Sequence, residues 1–250
     1  MSTWKKRLFI ATLTALTCSL AVWGGYRLLD RIQTFRVSRI TLAGAERCDT
    51  RKIGELAFSA AYGRCIFKVN LPDLYQQIRS DGWIRNLSIR RVMPSTLEIQ
   101  IEERVPFGIL HADQLFLVDR EGVLITAIGN KKAWKSLPLI RGLDLKGAGA
   151  GCKPDSPGLE SALNALALMQ EMRAPWLAKF REISVKSPEN LILSSQGKGC
   201  EIRLGSSNLR ENLQYLKSAW STIQASVSGI QYIDLRYKNQ LIIKPHKHIG

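Results

Sequence analysis

Three histidines, five cysteines and one glycine-rich run are the residues of this 250-residue chain whose types could do chemistry. His246-x-His248 could bring two imidazoles to one metal ion, but the pair lies in a short tail, residues 246–250, without companion ligands. His111 stands alone. Gly147-Ala-Gly-Ala-Gly151 resembles a phosphate loop. However, no strand precedes it, and Gly142-x4-Gly147 is followed by Ala148 rather than Lys. No serine sits in a Gly-x-Ser-x-Gly elbow. Glu102 and Glu103 are neighbours in a strand-like run, so they point to opposite faces and cannot work as a facing acid and base. The residue types therefore point to no catalytic residue, no cofactor and no metal. A binding protein is expected, not an enzyme.

What positions the chain is an uncharged stretch. Leu8 to Tyr26 (LFIATLTALTCSLAVWGGY) would be about 28 Å long as a helix, close to the hydrocarbon thickness of a bilayer. Lys5, Lys6 and Arg7 precede it and place the N-terminus in the cytoplasm. Arg27, Arg31, Arg36 and Arg39 follow, but long C-terminal regions translocate largely regardless of charge. Trp4, Trp23 and Tyr26 stand where interfacial aromatics belong. A cleaved signal peptide would have a shorter apolar core and a small-x-small site, and Trp23 and Tyr26 crowd the place of cleavage. An uncleaved single-pass anchor with the bulk of the chain outside the cytoplasm is expected.

The net charge is +15, with 45% hydrophobic residues. Anionic lipid, nucleic acid and an acidic protein or polymer could all answer that charge. The extracytoplasmic setting and the lack of an aromatic-rich RNA-binding signature argue against nucleic acid. Cys18 falls in the span, and Cys48, Cys65, Cys152 and Cys200 would meet an oxidising space. Cys48 and Cys65 flank a helix of about three turns, which sets its ends farther apart than the roughly 7 Å a bridge tolerates. Cys152 with Cys200 is sterically freer.

Beyond the connector at residues 27–36, Val37 to Leu42 alternates as a strand and ends at Gly44. Asp49 or Thr50 caps a helix to about Ala61, with Ile53, Leu56, Ala57 and Ala60 as its apolar stripe. Ile66 to Val69 reads as extended. A second helix runs from Pro72 to about Ser80 with Leu74, Tyr75 and Ile78 inward. Ile84 to Val92 and Thr96 to Glu102 then form a hairpin around Met93-Pro94-Ser95; Leu97, Ile99 and Ile101 share one face. The order β-α-α-β-β puts two helices over a three-stranded sheet.

Past Pro106, short strands are expected at Gly108–Leu110, Leu115–Val118 and Val123–Ile125. A loop spans Leu143–Gly158, and a helix Leu159–Met172. Strands follow at Ile183–Val185, Leu191–Leu193 and Glu201–Leu204. A helix capped by Asn208 reaches about Gln224, and two terminal strands turn at Lys238-Asn239. One antiparallel sheet with helices on one side is the expected architecture. Glu103-Arg104 reads as an ion pair at the junction.

Several runs, in this order and spacing, resemble the FtsQ/DivIB family of bacterial cell-division proteins. They begin with Val37-x-x-Ile40-x-Leu42-x-Gly44, Trp83-Ile84, Arg90-Arg91-x-x-Pro94-x-Thr96-Leu97 and Glu103-Arg104-x-Pro106. Leu117-Val118-Asp119-x-x-Gly122, Leu137-Pro138-Leu139-Ile140-x-Gly142 and Asp234-Leu235-Arg236-Tyr237 continue them. The resemblance implies an α+β fold: a cytoplasmic tail (1–7), one transmembrane helix (8–26), a connector (27–36), a POTRA domain (37–105) and a mixed antiparallel β domain with packed helices (106–245). It implies a non-enzymatic scaffold in the inner membrane at the division septum. Such a scaffold binds FtsB, FtsL and other divisome membrane proteins and helps control septal peptidoglycan synthesis. By motif, the FtsB-binding residues would be Arg236, Tyr237, Asn239, Gln240 and Leu241. Two other readings fit the residues less well. An outer-membrane assembly or secretion component would want tandem POTRA units or a barrel. An anionic cell-wall-polymer binder would use the +15 charge.

Overall fold

A computed structural model describes residues 4, 7, 11–20, 33–174, 176, 179–195, 200–226, 229–237 and 240–245. Two compact units divide the chain, one ending at Glu103 and one starting at Arg104. Residues 11–20 are helical and exposed. The hydroxyls of Thr14, Thr17 and Ser19 donate to the carbonyls of Ala11, Thr14 and Ala15 at 2.9, 2.9 and 2.8 Å. Both ends of the expected span, residues 8–26, lie outside the described residues. Among the described residues no helix is long and apolar enough to cross a membrane.

The first unit has the element order read from the sequence: strand β1 (Arg39–Ala43), helices α1 (Thr50–Ala61) and α2 (Leu71–Arg79), strands β2 (Ile84–Val92) and β3 (Thr96–Glu103). β3 is central in the sheet, parallel to β1 and antiparallel to β2. Its alternation shows why: Leu97, Ile99 and Ile101 are buried, and Ile53, Ala57 and Ala61 of α1 and Leu74 and Ile78 of α2 share their core. Asp49 caps α1 by accepting the Lys52 N–H, and Asn70 caps α2 by accepting from Asp73. Gly44 ends β1 at φ +81°, where a Cβ would collide with the Ile101 carbonyl oxygen, so only glycine fits.

Three local expectations need correction. Residues 66–68 are a 3-10 turn, not extended. β2 carries a register shift between Ile84 and Asn86, so Ile84 is buried with Leu87 although strict alternation puts them on opposite faces. The Glu103-Arg104 ion pair gives way to separate partners. The Glu103 carboxylate accepts the N–H groups of Glu46, Arg47 and Cys48 at 2.8, 2.7 and 2.8 Å, and the Cys48 thiol at 2.8 Å. Arg104 donates to buried Asp119 at 2.5 Å. Three consecutive N–H groups form an anion nest, and Glu103 fills it from within.

Among the described residues the second unit is one nine-stranded sheet with two α-helices and a 3-10 turn at Lys132–Trp134. Its strands are β4 (Gly108–His111), β5 (Leu115–Val118), β6 (Leu124–Ile128), β7 (Leu139–Arg141), β8 (Phe180–Ser187), β9 (Asn190–Ser195), β10 (Glu201–Leu204), β11 (Ile230–Asp234) and β12 (Ile242–Pro245). Spatially the order is β12-β11-β10-β9-β8-β7-β4-β5-β6. The sheet is mixed, not antiparallel: β4 with β7, β7 with β8 and β10 with β11 run parallel. Parallel neighbours need long crossovers, and helices α3 (Pro157–Met172) and α4 (Leu209–Ser226) lie in two of these connections. α3 buries Leu159, Leu163, Leu166 and Met169; α4 buries Leu213 and Leu216, and its Trp220 stacks on Trp176 at 4.1 Å. Asn208 precedes α4 at φ +54°. All five cysteines are free.

The Glu103 nest generates a prediction. Burial opposes its charge, but the Cys48 thiol and three N–H donors together hold its carboxyl below the usual range. The same contact, with burial first, pushes the Cys48 thiol up to about 12. Glu103→Ala leaves the nest unfilled and should cost the first unit about 2 kcal/mol, read as a lower thermal midpoint in circular dichroism. Because the folded pKa is depressed, this stabilisation is complete above about pH 4.3 and is lost as pH falls through the lower folded value. The variant's acid transition should therefore be shallower than that of the unsubstituted chain.

Candidate functional site

The candidate site grows from the last two strands. β11 lies between β10, its parallel neighbour, and β12, its antiparallel one; Ile233 pairs with Ile202 and with Ile243. Alternation along β11 sends Ile233 into the core and Tyr232 to the other face. Beyond the strand, Leu235 is buried, donates its N–H to the Arg203 carbonyl at 2.9 Å and accepts from Asn212 of α4 at 2.8 Å. The hairpin is thus tied to both the sheet and a helix before it turns.

At the turn the sequence-chosen residues separate into distinct roles. Arg236 is exposed, and its guanidinium turns back on the end of its own strand. Its Nε donates to Asp234 Oδ1 at 2.9 Å, its Nη2 to Oδ2 at 2.6 Å, and its own N–H to Oδ1 at 3.1 Å. Tyr237 is 51% exposed. The Gln240 N–H closes the turn on the Tyr237 carbonyl at 3.3 Å, and Leu241 packs half-buried against the core. Asn239 lies outside the described residues. Arg236, Tyr237, Gln240 and Leu241 therefore share one hairpin end, with Tyr237 its exposed aromatic side chain.

β12 is the last strand of the sheet, so among the described residues one of its sides faces no strand. Ile242 is 42% exposed there. The opposite edge, β6, is treated differently. The Leu124 N–H donates to the Cys152 carbonyl at 2.9 Å, and the Gly151 N–H to the Leu124 carbonyl at 2.6 Å. The glycine-rich loop that mimics a phosphate cradle in sequence thus covers the start of that edge. β12 has no such cover among the described residues. An uncovered edge offers main-chain donors and acceptors to an added strand.

Tertiary structure adds side chains the sequence did not single out. Tyr232 faces away from the core beneath the Arg203 guanidinium at 3.9 Å, with Lys244 Nζ at 5.6 Å from its ring. Outward alternation marks Tyr232, but its partners come from β10 and β12. A separate cleft of about 490 Å³ is lined by Lys131, Lys132, Trp134, Lys135 and Arg181, among others. The Arg181 guanidinium donates to the Lys135 carbonyl at 2.7 Å. Among the described residues no group of three His, Cys, Asp or Glu side chains could hold a metal ion.

The hairpin tie yields a second prediction. Burial opposes the Asp234 charge, but the Arg236 guanidinium and backbone N–H hold its carboxyl below the usual aspartate range. Asp234→Asn should cost about 2 kcal/mol of stability at neutral pH, with faster amide exchange at residues 230–237. Its depressed folded pKa means that the contribution is present above about pH 3.9 and disappears as pH falls through the folded value. The difference between the variant and the unsubstituted chain should shrink in acid.

Comparison with known proteins covers both units. Residues 109–236 match the family described as "Cell division protein FtsQ/DivIB, C-terminal", and residues 35–104 match "POTRA domain, FtsQ-type". The cell division protein FtsQ of Geobacter sp. (strain M21) is 27% identical over 229 residues, 89% of this chain and 80% of its own length. That of Burkholderia pseudomallei is 29% identical over 241 residues, 90% and 85%. That of Geotalea daltonii is 24% identical over 234 residues, 94% and 84%.

Proposed function

The chain belongs to the FtsQ/DivIB family of cell division proteins, and from that premise we propose that it is a non-enzymatic scaffold of the divisome. It binds bitopic partners of the FtsB and FtsL type and links early and late division proteins in control of septal peptidoglycan synthesis. It sits at the septum as a single-pass protein of the inner membrane, N-terminus in the cytoplasm and both units outside. Support for the anchor is the uncharged run Leu8–Tyr26 after Lys5, Lys6 and Arg7. The three hydroxyls bonded within the helix at residues 11–20 fit a hydrocarbon setting, which leaves few other partners.

The observation that carries the docking reading is the edge of β12, uncovered among the described residues. A partner strand adds there, with main-chain hydrogen bonds for affinity and Tyr237 and Ile242 for specificity. Arg236 acts through Asp234 to hold the hairpin in shape, while Gln240 and Leu241 set its turn. Asn239 belongs to the same turn by sequence. Tyr237→Ala should weaken capture of the full chain by the extracytoplasmic part of the same organism's FtsB about tenfold. Because Tyr237 is exposed, the thermal midpoint should hardly move. Unchanged affinity in that variant would count against docking at this hairpin.

One observation favours a second reading, binding of an anionic cell-wall polymer: the cleft whose lining holds Lys131, Lys132, Lys135, Arg181 and Trp134, with Glu182 as its one acid. On this reading the full chain is retained on purified cell wall, and Lys132→Glu with Lys135→Glu reduces retention. Retention should collapse as salt rises past about 0.1 M, where exposed charges are screened beyond about 10 Å. Salt-insensitive or absent retention removes it.

A further inference from the structure

Among the described residues from 33 to 103, the exposed bulky apolar side chains are Phe58, Tyr62, Phe67, Val92 and Met93. They come from three places: the last turn of α1 and the residue after it, the 3-10 turn at Ile66–Lys68, and the β2–β3 turn. The fold gathers these places around one segment, residues 35–38. The Gly63 N–H donates to the Val37 carbonyl, and the Val37 N–H to the Arg64 carbonyl, each at 2.9 Å. The Phe35 ring lies 5.7 Å from that of Phe67, and Phe58 stacks on Tyr62 at 4.4 Å. The Ser38 N–H donates to the Ser95 carbonyl at 3.0 Å. Arg91 donates to the Ile66 and Val69 carbonyls at 2.7 and 2.9 Å, which ties the same hairpin end to the 3-10 turn.

Charge follows the same pattern. Arg36, Arg39, Arg64 and Lys68 are exposed at this end. Residues 33–45 and 56–72 contain no Asp or Glu. Glu55 pairs with Arg51 at 3.1 Å and Glu98 with Arg90 at 2.8 Å, while Glu46 and Asp73 border the two stretches, Asp73 accepting from the Asn70 side-chain amide. Residues 35–38 are also the part of this unit that first follows the anchor. Gln33 comes seven residues after Tyr26, a reach of at most about 25 Å however the intervening chain runs.

We propose that this end of the first unit rests on an anionic bilayer surface, its aromatic side chains at headgroup level and its arginines and Lys68 on lipid phosphates. Aromatics with an apolar body favour that boundary, and basic residues are drawn to acidic headgroups there. An exposed Phe and Tyr pair is costly in water, and charge alone does not call for it. Tethering presents the bilayer to this surface at high effective concentration, which no soluble acidic partner matches. The inference goes beyond docking at β12 and rests on the anchor in the proposed function.

The test uses the full chain reconstituted in nanodiscs of phosphatidylcholine, with or without phosphatidylglycerol, and read by hydrogen exchange. Exchange at residues 56–69 should slow about fivefold when phosphatidylglycerol is present. That slowing should vanish in Phe58→Ser with Phe67→Ser and shrink in Arg64→Glu with Lys68→Glu, while exchange at residues 97–101 of the central strand β3 stays unchanged. Equal exchange in both lipids overturns the proposal. So does slowing that appears only when a second divisome protein is added, which would assign the surface to a protein. A chain extracted from vesicles by alkaline carbonate defeats the anchor and this inference together. A chain that resists extraction yet shows equal exchange defeats this inference alone.

Discussion

An open β-sheet cannot satisfy the main-chain groups of its outermost strands, and the second unit is organised around that constraint. Nine strands give two edges. One edge is met by the chain itself, where the loop at Gly151-Cys152 bonds to Leu124. The other, β12, ends the sheet, and the hairpin that presents it is held from behind by Asp234, Arg236 and Asn212. Stiffness beside an open edge suits strand addition, because the ordering cost is met before a partner arrives.

Three buried or half-buried carboxylates pin chain segments in a protein with 36 Lys and Arg against 21 Asp and Glu. Glu103, Asp119 and Asp234 each combine backbone N–H groups with a further donor: a thiol, Arg104 and Arg236 respectively. Each fixes a loop or strand end more than it adds to a core. Charge-assisted bonds are roughly twice as strong as neutral ones and have directional geometry. A small number of acids can therefore define ends that apolar packing leaves free.

Much of the architecture was legible because it is written in short-range periodicity. Leu97, Ile99 and Ile101 declared the central strand, and Ile53 and Ala57 the inner face of α1. Those signals depend on nearest neighbours along the chain, which a period of 2 or 3.6 captures. The Glu103-Arg104 pairing failed for the complementary reason. Adjacent residues in extended backbone point apart, and their partners, Cys48 and Asp119, are remote in sequence. A one-residue bulge moved Ile84 onto the buried face, and no composition signal marks it. Of the site, sequence picked out the hairpin end with Tyr237. It did not distinguish the outward Tyr237 from Arg236, which is bound to its own strand's Asp234.

By itself, then, the sequence determined the uncharged run after three basic residues, the order of helices and strands in the first unit, and the absence of a recognisable catalytic motif. It also carried the spaced residues that both family matches cover. Only the tertiary structure decided which strands became parallel neighbours, which sheet edge is uncovered among the described residues, and that five exposed apolar side chains sit on three segments tied together by hydrogen bonds. The physical reason is the range of the interactions. Faces and caps are set by a few consecutive residues, whereas edges and surface patches follow from pairings between segments tens of residues apart.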